Sequence, residues 1–97
     1  MIFSIEIKEQ AVEDLKAAYD YYEEKKMNLG STFLDKVDDC LRRIKNNPLQ
    51  CQIKRAPYRE ALVRNFPYLI IYEVINNQII VYAVFNTWRN PELKPKK

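Results

Sequence analysis

Two apolar runs in the second half of the chain constrain its fold more than any other feature. Residues 68–75 and 79–85 are rich in β-branched and aromatic side chains and are separated by Asn76-Asn77-Gln78. Both runs are too short to span a membrane, and neither shows a helical period. Because asparagine tolerates the left-handed backbone conformation that tight turns require, the pattern predicts a β-hairpin at the centre of a sheet.

Two amphipathic helices are predicted before the hairpin. The first covers residues 9–26, and the second ends at Asn46-Asn47-Pro48, because proline cannot continue a helix. The short connection that contains Gly30 predicts an antiparallel pair, and Asn28 or Ser31 is the expected cap of the second helix. The predicted core-facing residues are Val12, Leu15, Tyr19 and Tyr22, widened by Ala11 and Ala18, and then Phe33, Val37, Leu41 and Ile44, with Leu34 and Cys40 beside them.

The remaining strands complete an α+β prediction of one domain over residues 1–97. Residues 2–7 alternate as an N-terminal strand, and residues 58–65 alternate as a strand that follows a connecting segment. With the hairpin, the strand at 58–65 forms a three-stranded antiparallel meander, and the N-terminal strand joins one edge. The two-helix hairpin is expected on one face, and the tail 87–97 is expected to be irregular. Since residues 68–75 are nearly all apolar, the tail, a dimer mate or a partner chain must cover the other face.

The charge is distributed unevenly along the chain. Residues 1–50 carry 8 Lys and Arg against 10 Asp and Glu, a net −2, whereas residues 51–97 carry 8 against 3, a net +5. In the first half, Glu9, Glu13 and Asp14 are expected in the first turn of a helix, where the helix dipole favours negative charge. The basic second half is interpreted as a sheet face that meets a polyanion or an acidic peptide, with a purely solubilising surface as the alternative.

Composition excludes several classes of function. A single glycine excludes glycine-rich phosphate loops, and the absence of histidine leaves acid–base chemistry to carboxylate, lysine, arginine or tyrosine side chains. Cys40 and Cys51 lack CxxC spacing, so reduced structural thiols are expected, with no metal site and no cofactor. The chain shows neither a signal peptide nor a membrane segment, which predicts a cytoplasmic protein.

The sheet residues also resemble a known family. The sequence YREALVRNFPY at 58–68, the Tyr-Glu-Val at 72–74, and the closing Arg89-Asn90-Pro91 resemble the C-terminal half of the RelE/ParE superfamily, nearer the ParE branch. Members of this superfamily are toxins of bacterial type II toxin–antitoxin pairs, also described as plasmid stabilisation proteins. The resemblance implies the fold predicted above and a growth-inhibiting toxin that a cognate antitoxin neutralises.

The resemblance implies two alternative activities. In the RelE branch, arginines hold mRNA on the ribosome and stabilise the transition state of cleavage, which would make Arg64 and Arg89 catalytic. This sequence has Leu69 where a sheet arginine is expected, and Asn86 where many relatives carry histidine. These departures favour the ParE branch, in which the toxic act is poisoning of DNA gyrase and the protein is not an enzyme. A binding module that keeps the fold without toxicity is the third alternative.

Five residues are the candidates for binding the target or the antitoxin: Arg59, Glu60, Arg64, Trp88 and Arg89. Arg59 and Glu60 open a predicted strand, where a surface ion pair is the simpler reading. Arg64 and Arg89 could instead cover apolar sheet surface with the aliphatic part of their side chains. Trp88 is expected to pack against the protein rather than to stack on a nucleic-acid base. The expected partners are an acidic antitoxin and either DNA gyrase or the ribosome with its mRNA; a homodimer is also possible.

Overall fold

A five-stranded mixed sheet with two helices on one face forms the protein in the computed structural model, which describes residues 2–88. Its elements are β1 (Ser4–Ile7), α1 (Glu9–Lys25), α2 (Leu29–Asn46), β2 (Ile53–Arg55), β3 (Tyr58–Leu62), β4 (Tyr68–Ile75) and β5 (Gln78–Asn86). The strand order is β1-β5-β4-β3-β2. Only β1 pairs in parallel, with β5, and the other neighbours are antiparallel. The α+β prediction is confirmed, including the N-terminal strand at one edge.

The sheet has one strand more than the sequence predicts. The segment interpreted as a connection contains β2, which pairs antiparallel with β3 and forms the second edge of the sheet. Because β2 is only three residues long, it has no detectable alternation. The next strand also ends at Leu62 and not at residue 65, since Asn65 takes a left-handed φ of 71° and turns the chain.

The central hairpin has the predicted turn and one irregularity. Asn76 adopts φ of 55°, and Ile75 pairs with Gln78, so two asparagines form the turn. Farther along the hairpin, the register shifts so that Tyr82 stands opposite no residue of β4. Such a bulge disrupts the ladder locally, and beyond it Val84 pairs with Ile70. The backbone N–H of Val84 donates to Oδ2 of Asp14 on α1, at 3.0 Å. Asp14 therefore contacts the sheet, and Glu9 alone is the acidic residue of the first helical turn.

A carboxylate of α1 caps the start of α2. Glu23 accepts hydrogen bonds from the backbone N–H groups of Asn28 at 2.9 Å and Gly30 at 3.0 Å. Neither predicted cap is used, because Asn28 stands at the N-cap position with φ of 71° and makes no side-chain cap. Gly30 sits at a close approach of the two helices, since an added Cβ would lie 2.7 Å from the backbone oxygen of Tyr19.

The main core lies between the helices and one face of the sheet. In α1 the fully buried residues are Ala11 and Ala18, whereas Val12 is 43% exposed. The predicted stripe is therefore correct for Ala11 and Ala18, and half-buried Leu15 and Tyr22 pack against the core, but the inclusion of Val12 was wrong. In α2 the prediction was nearer, and Cys40 takes the central position beside a half-buried Leu41. One end of the core is closed by aromatic contacts among Tyr22, Phe33, Phe66 and Tyr68.

The end of the described chain follows β5. The backbone N–H of Thr87 donates to the carbonyl oxygen of Pro67 at 2.9 Å, which places the chain beside the β3–β4 turn. Pro67 itself immediately precedes β4, where its missing N–H costs no ladder hydrogen bond. The prediction of an irregular tail over residues 87–97 concerns mainly residues 89–97, which lie outside the described range.

Candidate functional site

The face of the sheet opposite the helices carries an apolar surface with a polar cluster. Alternation and the bulge at Tyr82 assign to this open face Tyr58, Glu60 and Leu62 of β3, Leu69, Ile71 and Glu73 of β4, and Ile80, Tyr82 and Phe85 of β5. Ile71 and Ile80 are buried without belonging to the helix-side core. Leu62, at the end of its strand, is 60% exposed. The side chains at the centre of the open face are thus buried, whereas those toward Leu62 are exposed to solvent.

Two tyrosines and a glutamate form the polar cluster of the open face. The hydroxyl of Tyr82 donates to Oε1 of Glu73 at 2.7 Å, and the rings of Tyr58 and Tyr82 meet edge to face at 5.5 Å. The hydrogen bond to Glu73, followed by burial, raises the pKa of Tyr82 to about 12. The proton of Tyr82 is therefore held more firmly than in a free tyrosine, which disfavours proton transfer near neutral pH. Sequence reasoning missed this cluster, because the pairing of three strands, β3, β4 and β5, brings its residues together.

The two described arginines among the predicted site residues, Arg59 and Arg64, do not lie on this open face. Arg59 lies on the helix side of β3, and its Nη1 donates to the carbonyl oxygens of Cys51 at 2.6 Å and Leu49 at 3.4 Å. Glu60 lies on the opposite side of the strand, as alternation requires. The expectation of a basic sheet face is therefore not met by Arg59, which instead holds the turn that follows α2.

Arg64 lies in a cleft on the helix side. The cleft has a volume of about 230 Å³ and lies between the end of α2, the turn after it and β3. Its lining residues are Arg43, Ile44, Asn47, Gln50, Cys51, Ala61 and Arg64. Arg43 comes from the last turn of α2, and no sequence signal paired it with Arg64, since 21 positions separate them.

The two cysteines lie near this cleft as free thiols, as predicted. Cys40 is fully buried, and its Sγ lies 3.6 Å from the carbonyl oxygen of Leu62. Burial raises the pKa of Cys40 above its ordinary value, and the positive charges of Arg43 and Arg64 oppose that rise. The buried thiol therefore remains protonated at neutral pH, as expected of a structural cysteine.

The remaining predicted site residues lie at or beyond the end of β5. Trp88 is 81% exposed, and its backbone N–H donates to Oδ1 of Asn86 at 2.8 Å. The Nδ2 of Asn86 donates to the hydroxyl of Tyr68 at 3.1 Å. Asn86, which stands where a histidine was expected, therefore links the end of β5 to β4 and to the backbone of Trp88. Leu69, at the position of the expected arginine, pairs with Phe85 on the open face. Arg89 lies outside the described residues.

A second concave surface lies on the outer side of the helix pair. This groove has a volume of about 370 Å³ and is lined by Val12, Leu15, Lys16, Tyr19, Asp20 and Leu34. Val12 and Leu34 are 43% and 38% exposed, so the lining offers apolar contacts to a partner. Within residues 2–88, no helix is long and apolar enough to cross a membrane, and no three His, Cys, Asp or Glu side chains gather in a way that would hold a metal ion.

Similar solved structures agree with this architecture. A chain of the chromosomal ParDE system from P. aeruginosa is 18% identical, with a TM-score of 0.64 over 88% of this chain and 96% of that one. The E. coli DinJ-YafQ toxin–antitoxin complex contains a chain that is 21% identical, with a TM-score of 0.61 over 90% and 94%. The YoeB dimer from Staphylococcus aureus is 19% identical, with a TM-score of 0.58 over 86% and 94%. At these low identities, the TM-scores show a shared fold.

Sequence similarity establishes the family. No curated protein sequence matches the chain. The family model described as the ParE toxin of the type II toxin–antitoxin system, parDE, matches residues 5–91, which include every described helix and strand except the first residue of β1. The resemblance read from the hairpin and its flanking residues is thereby confirmed. The chain belongs to the ParE toxin family of type II toxin–antitoxin systems.

Proposed function

We propose that this protein is a toxin that inhibits a DNA-handling target such as DNA gyrase and that a cognate antitoxin neutralises it. The observation that carries the proposal is the ParE family match over residues 5–91. Acting as an inhibitor requires a binding surface and no catalytic group, so the chain would poison its target by contact. We further propose that it acts in the cytoplasm, where that target is found.

The chemistry of the described site supports an inhibitor rather than a nuclease. The clear pKa shifts within residues 2–88, those of Cys40, Tyr72 and Tyr82, are all upward from already alkaline values. A general acid or base for RNA cleavage works best with a pKa near the operating pH. Arg64, one of the two catalytic candidates of the nuclease alternative, lines the helix-side cleft and not the open face. None of the three groups with a shifted pKa is therefore suited to general acid or base catalysis near neutral pH, and Arg89, the other catalytic candidate, lies outside the described residues.

Trp88 is the proposed target contact. Its side chain is 81% exposed, and its backbone N–H is held by Asn86 at the end of β5. Tryptophan is enriched among the interface residues that contribute most of the binding energy. Trp88→Ala is expected to weaken target binding by at least about tenfold and to reduce toxicity. Met27→Ala is the matched control, because Met27 is 79% exposed in the connection between the helices. Equal toxicity of the two variants would remove Trp88 from the target surface.

The edge formed by β2 is the proposed antitoxin surface. Ile53 in the edge strand is 50% exposed beside Lys54 and Arg55, Leu49 in the preceding turn is 59% exposed, and Leu62 at the end of the neighbouring strand β3 is 60% exposed. An acidic, extended antitoxin segment would pair with such an edge, with charge complementarity favouring association. Of the earlier candidates, Arg59 contributes indirectly, by holding the adjacent turn.

Charge reversal tests this surface. A Lys54→Glu and Arg55→Glu double variant is expected to bind the product of the adjacent reading frame at least about tenfold more weakly, with a smaller salt dependence. Lys16→Glu is the matched control, because Lys16 lines the outer groove of the helix pair. Loss of binding in the control with normal binding of the double variant would place the antitoxin in the helix groove.

Inducible expression in a bacterial host tests the proposed activity itself. After growth arrest, gyrase-linked DNA breaks and mRNA 5′ ends are mapped in the same cells. Broken DNA with intact mRNA is expected. Codon-phased mRNA ends with intact DNA would instead establish ribosome-dependent cleavage, and unaffected growth with folded protein present would indicate a non-toxic binding module.

A further inference from the structure

The cleft between α2 and β3 has a lining suited to an anion. Arg43 and Arg64 are both exposed at its rim, and the amide side chains of Asn47 and Gln50 complete the polar lining. The lining residues include no carboxylate. The charge of Arg43, in the last turn of α2, is offset by the negative end of the helix dipole. Arg64, which follows β3, is not at a helix end, so its positive charge is not offset in this way.

The two arginines are available for a ligand. The ion pairs described within residues 2–88 are Lys8 with Glu6 and Arg42 with Asp38, so neither rim arginine is held by a carboxylate in this part of the chain. Arg43 makes a long contact from Nη2 to the carbonyl oxygen of Leu62 at 3.5 Å and a hydrogen bond to the thiol of Cys40, which together use only part of its five N–H donors. Its guanidinium therefore keeps donors that are free to turn into the cleft.

The wall of the cleft is fixed from below. Arg59 donates to the carbonyl oxygens of Leu49 and Cys51, and the buried hydroxyl of Tyr72 donates to the carbonyl oxygen of Pro48 at 2.8 Å. The backbone N–H of Gln50 also donates to the carbonyl oxygen of Asn47 at 3.1 Å. A ligand would meet a turn that is already ordered, which lowers the entropic cost of binding.

We propose that this cleft, between Arg43 and Arg64, binds a phosphate group. Guanidinium groups pair with phosphate oxygens through parallel N–H donors, and a tetrahedral phosphate accepts further hydrogen bonds from side-chain amides on other sides. A cleft of about 230 Å³ has room for one such group with its ester substituent directed to solvent. The phosphate belongs either to a free phosphate monoester or to a nucleic-acid backbone. This inference does not rest on the proposed function.

An NMR titration of the full-length protein tests the site. Inorganic phosphate is added at constant ionic strength, which sodium chloride maintains, while the side-chain N–H signals of arginine, asparagine and glutamine are followed. Saturable shifts are expected for Arg43 and Arg64. Arg43→Gln and Arg64→Gln are each expected to weaken phosphate binding by about tenfold. Both side chains are exposed, so circular dichroism should show unchanged folding.

Arg42→Gln is the matched control. Arg42 neighbours Arg43 on α2 and carries the same charge, but it is exposed and paired with Asp38 outside the cleft. Its replacement should change phosphate binding by less than about twofold. The absence of saturable binding, or an equal loss in the control, would overturn the proposal. Tighter binding of adenosine 5′-monophosphate than of oligothymidylate without terminal phosphates would assign the site to a monoester, and the reverse order to a nucleic-acid backbone.

Discussion

The hydrogen bond from Val84 to Asp14 gives a sharp test of how the bulged sheet is held. Because β1 ends at Ile7, opposite Val81, it does not extend beside Val84 on β5, and half-buried Asp14 accepts the backbone N–H of Val84 at 3.0 Å. Gln10 further orients the same carboxylate, since its Nε2 donates to Oδ1 of Asp14 at 2.9 Å. Asp14→Ala therefore leaves a backbone donor unpaired at the junction between α1 and β5.

The cost of Asp14→Ala follows from two opposing effects. A hydrogen bond to a charged acceptor contributes about 1.5–3 kcal/mol. Alanine regains about 0.6 kcal/mol of helix propensity over aspartate. The expected net loss of unfolding free energy is about 1.5 kcal/mol, which corresponds to a fall in Tm of roughly 6–12 °C for a domain of this size. Asp14→Asn keeps an acceptor oxygen and should lose less than half as much.

Thermal unfolding and hydrogen exchange measure the two consequences. Glu13→Ala is the control, because Glu13 is the exposed neighbour with the same charge, and it should change the unfolding free energy by less than about 0.5 kcal/mol. In Asp14→Ala, the amide of Val84 should lose more protection than global destabilisation explains. Equal Tm values for the two alanine variants, with unchanged protection at Val84, would refute the reasoning.

Three further predictions concern single contacts. Gly30→Ala should lower the unfolding free energy by about 1–3 kcal/mol in urea titrations, because the new Cβ would lie 2.7 Å from the oxygen of Tyr19. Arg59→Met should lower it by about 1–3 kcal/mol and speed amide exchange in the turn after α2, because two carbonyls lose their donor. The raised pKa of Tyr82 means that the folded state holds this proton more tightly than the unfolded state. The resulting stability is complete below about pH 10 and is lost as pH rises to about 12, and Glu73→Gln should reduce this dependence in unfolding measurements.

Each of these predictions has a control and a contradicting result. Ser31→Ala adds no atoms at the helix contact, so a loss as large as that of Gly30→Ala would argue against a clash. Arg42→Met removes only an exposed ion pair and should cost less than about 1 kcal/mol. If it matched Arg59→Met, the turn contacts would not explain the effect. Tyr58→Phe keeps the hydrogen bond between Tyr82 and Glu73, so it should retain the alkaline loss of stability.

The sequence predicted the parts of the fold that local patterns determine. The hairpin was predictable because two apolar runs flank asparagines, and Asn76 indeed takes the left-handed conformation. The helix limits also followed from periodicity and from Pro48. In α1 the burial of Ala11 and Ala18 was predicted correctly, whereas Val12 is 43% exposed, because apolar spacing alone does not determine how far the helix is rotated toward the sheet. The edge strand β2 escaped because three residues carry no period.

The candidate site was less predictable because tertiary contacts assemble it. Alternation correctly separated Arg59 from Glu60, but only the structure shows that Arg59 donates to carbonyls after α2. The pairing of Arg43 with Arg64 depends on how α2 crosses β3, and no motif in the sequence encodes that crossing. Trp88 was among the candidate residues, but packing was its favoured interpretation, whereas the side chain is 81% exposed; its role in binding stays a prediction.

The most direct test of the central claim uses purified protein and purified DNA gyrase. The protein is titrated into a supercoiling reaction on relaxed plasmid, and the supercoiled and linear products are measured together. The proposed function predicts that supercoiling falls and gyrase-linked linear plasmid accumulates as the protein is added. Full supercoiling at saturating protein, with cleavage of mRNA on translating ribosomes by the same preparation, would contradict it.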